Sequence, residues 1–269
     1  MACRTTVGFC LSGPIMAIAT QLRARQAKPD GWIGVTMIKA TGLRFQEAGR
    51  LGKERNTSMQ PTHRFPTQIL VFTLVYVAAI GLPAMQSEKP ECVSYLLLMV
   101  ALITVISIVD RRSHLSRPLL WCLSAWGFVH MAGGLVRIPS CWPYNGPDEV
   151  LYSLWLVPDR LKYDQIVHVF GFGTTTWLWW EILRNGIEIR YGHKLIPTFG
   201  LVSLCIAGGM GLGAFNEMVE FIATLTLPNT NVGGYENTSW DLVSNQIGSV
   251  FAGLVIYLRG HRTEQAEAC

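Results

Sequence analysis

Runs of roughly twenty mostly apolar residues, the length one helix needs to cross a bilayer, recur six times along the sequence. They lie near 68–85, 92–109, 119–136, 164–183, 196–226 and 241–258. Hydrocarbon offers backbone amides no partners, so each such segment must satisfy its own N–H and C=O groups as a helix. The expectation is an all-α fold, a polytopic membrane helix bundle of about six transmembrane helices. The fifth run exceeds what a bilayer requires and should tilt or project, with Pro228 marking its stop. Composition agrees, with half the residues apolar and only 15% charged.

The net charge of +4 belongs to one end of the chain. Residues 1–58 hold nine Lys/Arg against Asp30, Glu47 and Glu54, so the remainder is slightly acidic and offers no basic surface to a nucleic acid. The expected domains are therefore a basic extension, 1–58, and a six-helix membrane domain, 59–269. The extension contains "VGFCLSGPIMAIAT", which is too short to span and carries Pro14. Three readings stay open for it: a disordered tail, a targeting segment, or a start assigned upstream of Met59.

Orientation follows from the basic residues in short loops. "DRRSHLSR" after the second run, "RNGIEIRYGHK" after the fourth and the terminal "RGHR" are rich in Arg and Lys. "QSEKPE" has one Lys, "PNTNVGGYENTSW" has none, and the 137–163 loop offsets its three with Asp148, Glu149 and Asp159. Both termini are expected in the cytoplasm. Trp177, Trp179 and Trp180 then read as interface anchors, with Glu181 and Arg184 as an i, i+3 surface pair.

That topology sorts the ionisable residues. His130 falls in the outer half of its run, Asp164 and His168 at the outer start of theirs, and Asn216, Glu217 and Glu220 late in an outward run. Asp241 and Asn245 open the last. All lie at one depth, near the outer leaflet. Asp164/His168 and Asp241/Asn245 are i, i+4 pairs and Glu217/Glu220 is i, i+3, so each pair shares a helix face. Such groups are costly against lipid, at roughly 2.5–3.5 kcal/mol each on insertion scales, so the faces should turn inward and meet.

A divalent cation would compensate carboxylates gathered this closely, and imidazole with carboxylate suits Zn²⁺, Fe²⁺ or Mn²⁺. On that reading His130, His168, Glu217, Glu220 and Asp241 are metal ligands, with Asp164, Glu217 and Glu220 as catalytic carboxylates. Plainer roles exist for three of them: Asp164 and Asp241 cap helices, and a lone His130 is a core histidine; Glu217 and Glu220, late in an apolar run, have none. Protonated carboxylates forming a neutral network or proton relay are the alternative for the set.

"GGMGLGAF" (208–215) is no nucleotide loop; Cys205, Gly209 and Gly213 form a small-xxx-small packing face. Asn237-Thr-Ser matches a glycosylation acceptor on the outer side. Cys122 and Cys205 lie in apolar runs as small hydrophobes, and a Cys92–Cys141 disulfide is conceivable.

The stretches "HMAGG" (130–134), "YDQIVHVFGF" (163–172), "NEMVEF" (216–221) and "NTSWDLVSNQIGS" (237–249) together resemble the YjdF-type bacterial inner-membrane proteins and, more remotely, the VanZ-like family. The resemblance covers roughly 65–260. It implies Tyr163, Asp164, His168, Glu217, Glu220, Trp240 and Asp241 as recurring positions; by depth and spacing Asn216 and Asn245 support the same site. Phe221, where similar proteins often have Trp, and the longer "GGYENTSWD" depart from the pattern. Family and residues together lead to three expectations: a metal-dependent enzyme acting on a lipid or lipid-linked envelope substrate, a proton-coupled transporter or permease, or a non-catalytic envelope protein with a structural polar cluster.

Overall fold

A computed structural model describes residues 65–86, 90–227 and 230–267. The expected extension, 1–58, lies outside the described residues. Six long helices make up almost all of the rest: α1 (Thr67–Met85), α2 (Pro90–Ser113), α3 (Arg117–Leu135), α4 (Tyr163–Tyr191), α5 (Phe199–Thr226) and α6 (Tyr235–Glu267). α1, α3, α5, Val93–Ser113 of α2 and Tyr235–His261 of α6 are long and apolar enough to cross a membrane.

Each boundary has a local cause. Ser116 caps α3, its hydroxyl accepting from the Leu119 amide at 3.4 Å, with Pro118 in the first turn where a missing N–H is harmless. Thr198 caps α5 in the same way through Leu201. α4 ends on Gly192 in the left-handed conformation, φ 69°, which costs glycine nothing. α5 stops at Thr226, two residues ahead of Pro228.

Successive helices run antiparallel. The start of α1, the end of α2, the start of α3 and the end of α4 share one apolar cluster built on Ile69, Leu115, Leu119, Leu120, Leu123 and Leu178. A second cluster, Tyr76, Met99 and Met131, fills the gap between α1, α2 and α3 farther along. The end where α3 finishes and α4 begins is closed by residues 136–162. These fold into a 3-10 turn (Leu151–Ser153) and a short antiparallel pair, β1 (Trp155–Val157) and β2 (Leu161–Lys162). Isolated bridges Arg137↔Val150 and Tyr144↔Leu154 fasten it. We call this the hairpin end.

α4 is the helix that fails the apolarity requirement, and its place explains why. It packs against α2, α3, α5 and α6, most extensively α6. Its buried face carries Gln165, His168, Thr174, Thr175, Thr176 and Glu181. The three threonine hydroxyls donate to carbonyls of their own helix, to Phe170 and Phe172, at 2.8–3.1 Å. α6 presents a matching stripe of small or polar residues, Asp241, Ser244, Asn245, Gly248 and Ser249, all buried. Its apolar residues, among them Ile247, Phe251 and Leu254, face outward. That inside-out pattern suits a helix whose exterior meets lipid.

Glycine sets the helix separations. A Cβ on Gly248 would strike the Val169 carbonyl oxygen of α4, and one on Gly213 would lie 2.7 Å from Asn245 Nδ2. The small-residue face of Cys205, Gly209 and Gly213 is buried as expected, and serves to bring α5 onto α4 and α6.

Two readings of α4's far end are corrected. Trp180 is buried and Trp177 packs on the apolar cluster, so Trp179 alone reaches the surface as an anchor would. Glu181, 2% exposed, is no surface partner of Arg184. Its Oε2 accepts from the Ser116 amide at 2.7 Å and its Oε1 from the Ser116 hydroxyl at 2.5 Å. Arg184 turns instead to Asn185. The α2–α3 turn exposes amides that need an acceptor, and an inward-facing carboxylate on α4 supplies it. Asn185 adds bonds to the Ser113 and His114 carbonyls.

Candidate functional site

The polar residues of α4, α5 and α6 converge at the hairpin end. His168 stands at the centre, 6% exposed. Its Nδ1–H donates to Asn245 Oδ1 at 2.9 Å. That bond leaves Nε2 facing Asp164 Oδ1, 3.4 Å away, an opposition that calls for a proton or a cation between them. Glu217 Oε1 approaches the other nitrogen at 3.8 Å.

Asp241 comes in from α6, only 1% exposed. Its Oδ2 accepts from Asn237 Nδ2 at 2.6 Å, and the same amide group reaches Asp164 Oδ2 at 3.3 Å. Asn216 Nδ2 donates to Glu220 Oε1 at 2.8 Å, along α5. Two groupings result whose ligand atoms lie within 4.8 Å of one another: Asp164, His168 and Asp241, and His168, Glu217 and Glu220.

Several of these atoms have no partner. Both Glu217 oxygens, Asp241 Oδ1 and Asn245 Nδ2 are buried and make no hydrogen bond. Buried polar groups are rarely left so, because each costs about 1–3 kcal/mol, and more when charged. The cluster is well packed and electrostatically incomplete.

The remaining expected residues fall around it. Asn245, fully buried, orients His168. Tyr163 turns its hydroxyl to the Val129 carbonyl at 3.0 Å, bracing α4 against α3. Trp240 is 52% exposed and contributes nothing to the cluster. His130 belongs to neither grouping. It is ringed by Tyr95, Trp126 and Tyr152, and its Nδ1 bonds to the Tyr152 hydroxyl at 2.5 Å. Burial, with Tyr95 and the carboxylates of Asp164 and Glu220 nearby, pushes the Tyr152 phenol well above the usual tyrosine range. The phenol therefore keeps its proton and donates it to His130.

Three residues here were not foreseen. Asn237 appeared as part of a glycosylation motif, in a loop. α6 begins at Tyr235, so Asn237 sits one turn before Asp241 and holds two carboxylates. Its Oδ1 accepts from Lys162 Nζ at 2.9 Å, and that ammonium also lies over the Trp155 ring. Asn231 accepts from the Asp148 amide at 3.2 Å, tying the α5–α6 connection to the hairpin end. Tyr152 lies in a segment with no periodic signal. The i, i+4 spacing of Asn237 and Asp241 was the one available clue. Cys141 is exposed with a free thiol, Cys122 and Cys205 are free as well, and the Cys92 side chain lies outside those described.

Beside the cluster opens a cavity of about 150 Å³, walled by Asp164, Glu220, Asn237, Tyr152 and His130. Residues 67–262 match the family described as predicted membrane protein (DUF2238). The chain belongs to that family. The match begins at the first residue of α1, reaches nearly to the end of α6, and takes in every residue of the cluster. No curated protein and no solved structure matches the chain.

Proposed function

We propose that the His/carboxylate cluster binds one divalent cation and that the chain is a metal-dependent enzyme acting on a lipid or lipid-linked substrate of the bacterial envelope. The observation that carries this reading is the bare buried edge of Asp241. A 1% exposed carboxylate with Oδ1 unpartnered lies in one grouping with Asp164 and a histidine whose Nε2 is left free by Asn245. Neutral imidazole presented through one nitrogen, with the other donating to an oriented acceptor, is how proteins prepare a histidine for a metal. Nitrogen with carboxylate oxygen suits Zn²⁺, Fe²⁺ or Mn²⁺ over Ca²⁺ or Mg²⁺.

On this reading Asp164, His168 and Asp241 hold the ion, and Glu217 and Glu220 stand on the other side of the imidazole. A bound divalent ion lowers the pKa of water and polarises an acyl or phosphoryl oxygen; Glu217 or Glu220 would take the proton. His130 serves as a wall of the substrate cavity in this arrangement. The basic loops favour placing the hairpin end outside the cell, with the chain in the inner membrane.

Metal analysis of protein purified from native membranes tests the proposal. We expect one equivalent of zinc, iron or manganese by plasma mass spectrometry, and its loss in Asp241→Asn with helicity unchanged. A folded protein that takes up none of the three after incubation with excess metal would overturn it.

A further inference from the structure

The cavity beside the cluster has two kinds of wall. Its polar lining comes from Tyr152 of the hairpin end, from Thr230, Asn231 and Asn237 at and before the start of α6, and from Tyr95 of α2 and Asn216 of α5. Asp164 and Glu220 are the charged residues among its described walls, and no Lys or Arg is present there. Towards the bundle surface it is apolar, lined by Leu98 of α2 and by Val219, Ala223 and Leu227 along and just beyond α5.

Those two helices face each other across the cavity without a packed seam between them. Their outer surfaces are those of a membrane protein: Val93, Leu97 and Val100 on α2, and Met218, Ile222 and Leu225 on α5, are about half exposed or more. The apolar side of the cavity therefore lies between two helices whose outer surfaces suit lipid.

We infer that this cavity holds the single-ring, hydroxyl-bearing headgroup of a membrane amphiphile, whose alkyl chain lies in the cleft between α2 and α5. The inference deepens the proposed function and rests on it, because it supplies the substrate of the same site. Size sets one limit: an apolar cavity of about 150 Å³ elsewhere holds one benzene, so one six-membered ring fits and a disaccharide does not. Charge sets the second. The described walls carry Asp164 and Glu220 and no Lys or Arg, so a phosphate would have the proposed cation as its one positive partner and would face the Glu220 carboxylate. A quaternary ammonium carries no N–H or O–H to donate to the Asp164 and Glu220 oxygens. A ring bearing several hydroxyls donates to the Asp164 and Glu220 carboxylates and to the Tyr152 and Thr230 oxygens, and accepts from the Asn231 amide. The apolar side sets the third, since Leu98, Val219, Ala223 and Leu227 between two lipid-facing helices suit an alkyl chain.

Photolabelling of the full chain in phosphatidylcholine nanodiscs tests this, with dodecyl glucoside carrying a diazirine on its alkyl chain as the probe. Peptide mass spectrometry should place adducts on α2 around Leu98 and on α5 around Val219. Excess unlabelled dodecyl glucoside should suppress them at least tenfold, while dodecyl phosphate and dodecyltrimethylammonium should not. Ala223→Trp, which fills the cleft, should abolish the adducts, and Leu204→Trp, on an exposed face of the same helix, should leave them intact. Adducts spread over all lipid-facing surfaces and indifferent to the competitor would overturn the inference. Equal competition by the phosphate or the ammonium would overturn the headgroup assignment. Zinc bound to each sample is measured in parallel. Normal zinc with no localised adduct condemns the cavity alone, and localised adducts on a chain that binds no metal condemn the metal reading alone.

Discussion

Replacing Asp241 by Asn separates a metal site from a structural polar cluster by the sign of its effect. In the metal-free protein the Asp241 carboxylate is 1% exposed, and only Oδ2 has a hydrogen bond, from Asn237. Asp164 lies in the same grouping and adds like charge. Desolvating a carboxylate costs several kcal/mol, and a single neutral donor recovers about 1–2 of it. Asparagine keeps the shape and the bond from Asn237 while turning its amide N–H toward the bare edge. The metal-stripped variant should therefore be more stable than the parent by about 2 kcal/mol. At about 2–4 °C per kcal/mol for a chain of this order of size, that is a rise in Tm of roughly 4–8 °C. With zinc at 100 times its Kd the parent gains about 2.7 kcal/mol and the variant gains nothing. The order of the two Tm values then reverses. Fluorescence-monitored melting in detergent, with chelator and then with zinc, reads both arms. A variant less stable than the parent under both conditions would mean that Asp241 is a satisfied structural carboxylate, and the reasoning would fail.

Further expectations concern the frame of the site and its orientation. Gly248→Ala drives a methyl into the Val169 carbonyl and should cost about 1–3 kcal/mol, whereas Gly211→Ala, with nothing within 4 Å, should gain up to about 1 kcal/mol from helix propensity; paired melting curves decide. Glu181→Gln, which can still bond Ser116, should cost about 1 kcal/mol and Glu181→Leu about 3, with zinc binding unchanged in both because Glu181 lies at the opposite end of α4. A variant retaining Cys141 alone should react with a membrane-impermeant maleimide added outside intact cells, since that thiol is exposed at the hairpin end; labelling that requires lysis would reverse the orientation.

What could be read in the chain beforehand follows from which forces act locally. Apolar length is a local property, so five membrane-crossing helices and the position of a sixth followed from the runs themselves. The depth of Asp164, His168, Glu217, Glu220 and Asp241 followed from counting along those runs, and the helices do bring them to one end. The errors came where a residue's neighbour lies on another helix. Glu181 looked like half of a surface pair because Arg184 is three residues away, while its actual partner, Ser116, is sixty-five residues distant in sequence. Trp180 looked like an anchor until α4 proved to be enclosed. Asn237 fell in a loop because the last apolar run begins near 241, yet α6 starts at Tyr235. Tyr152 belongs to a segment whose fold comes from isolated bridges, which leave no pattern in the sequence.

The close approach of α4 and α6 at Gly173 and Gly248 has a consequence for traffic. A Cβ on Gly173 would lie 3.1 Å from the Gly248 carbonyl oxygen, and beyond that crossing Thr176 and Ser249 are sealed at 0% exposure. Farther on, Leu119, Leu120 and Leu178 close the interior. The acidic chamber is thus a cul-de-sac, its floor made of glycine backbone and hydroxyls already spoken for. On the reading proposed above, whatever the chamber receives leaves on the side by which it entered.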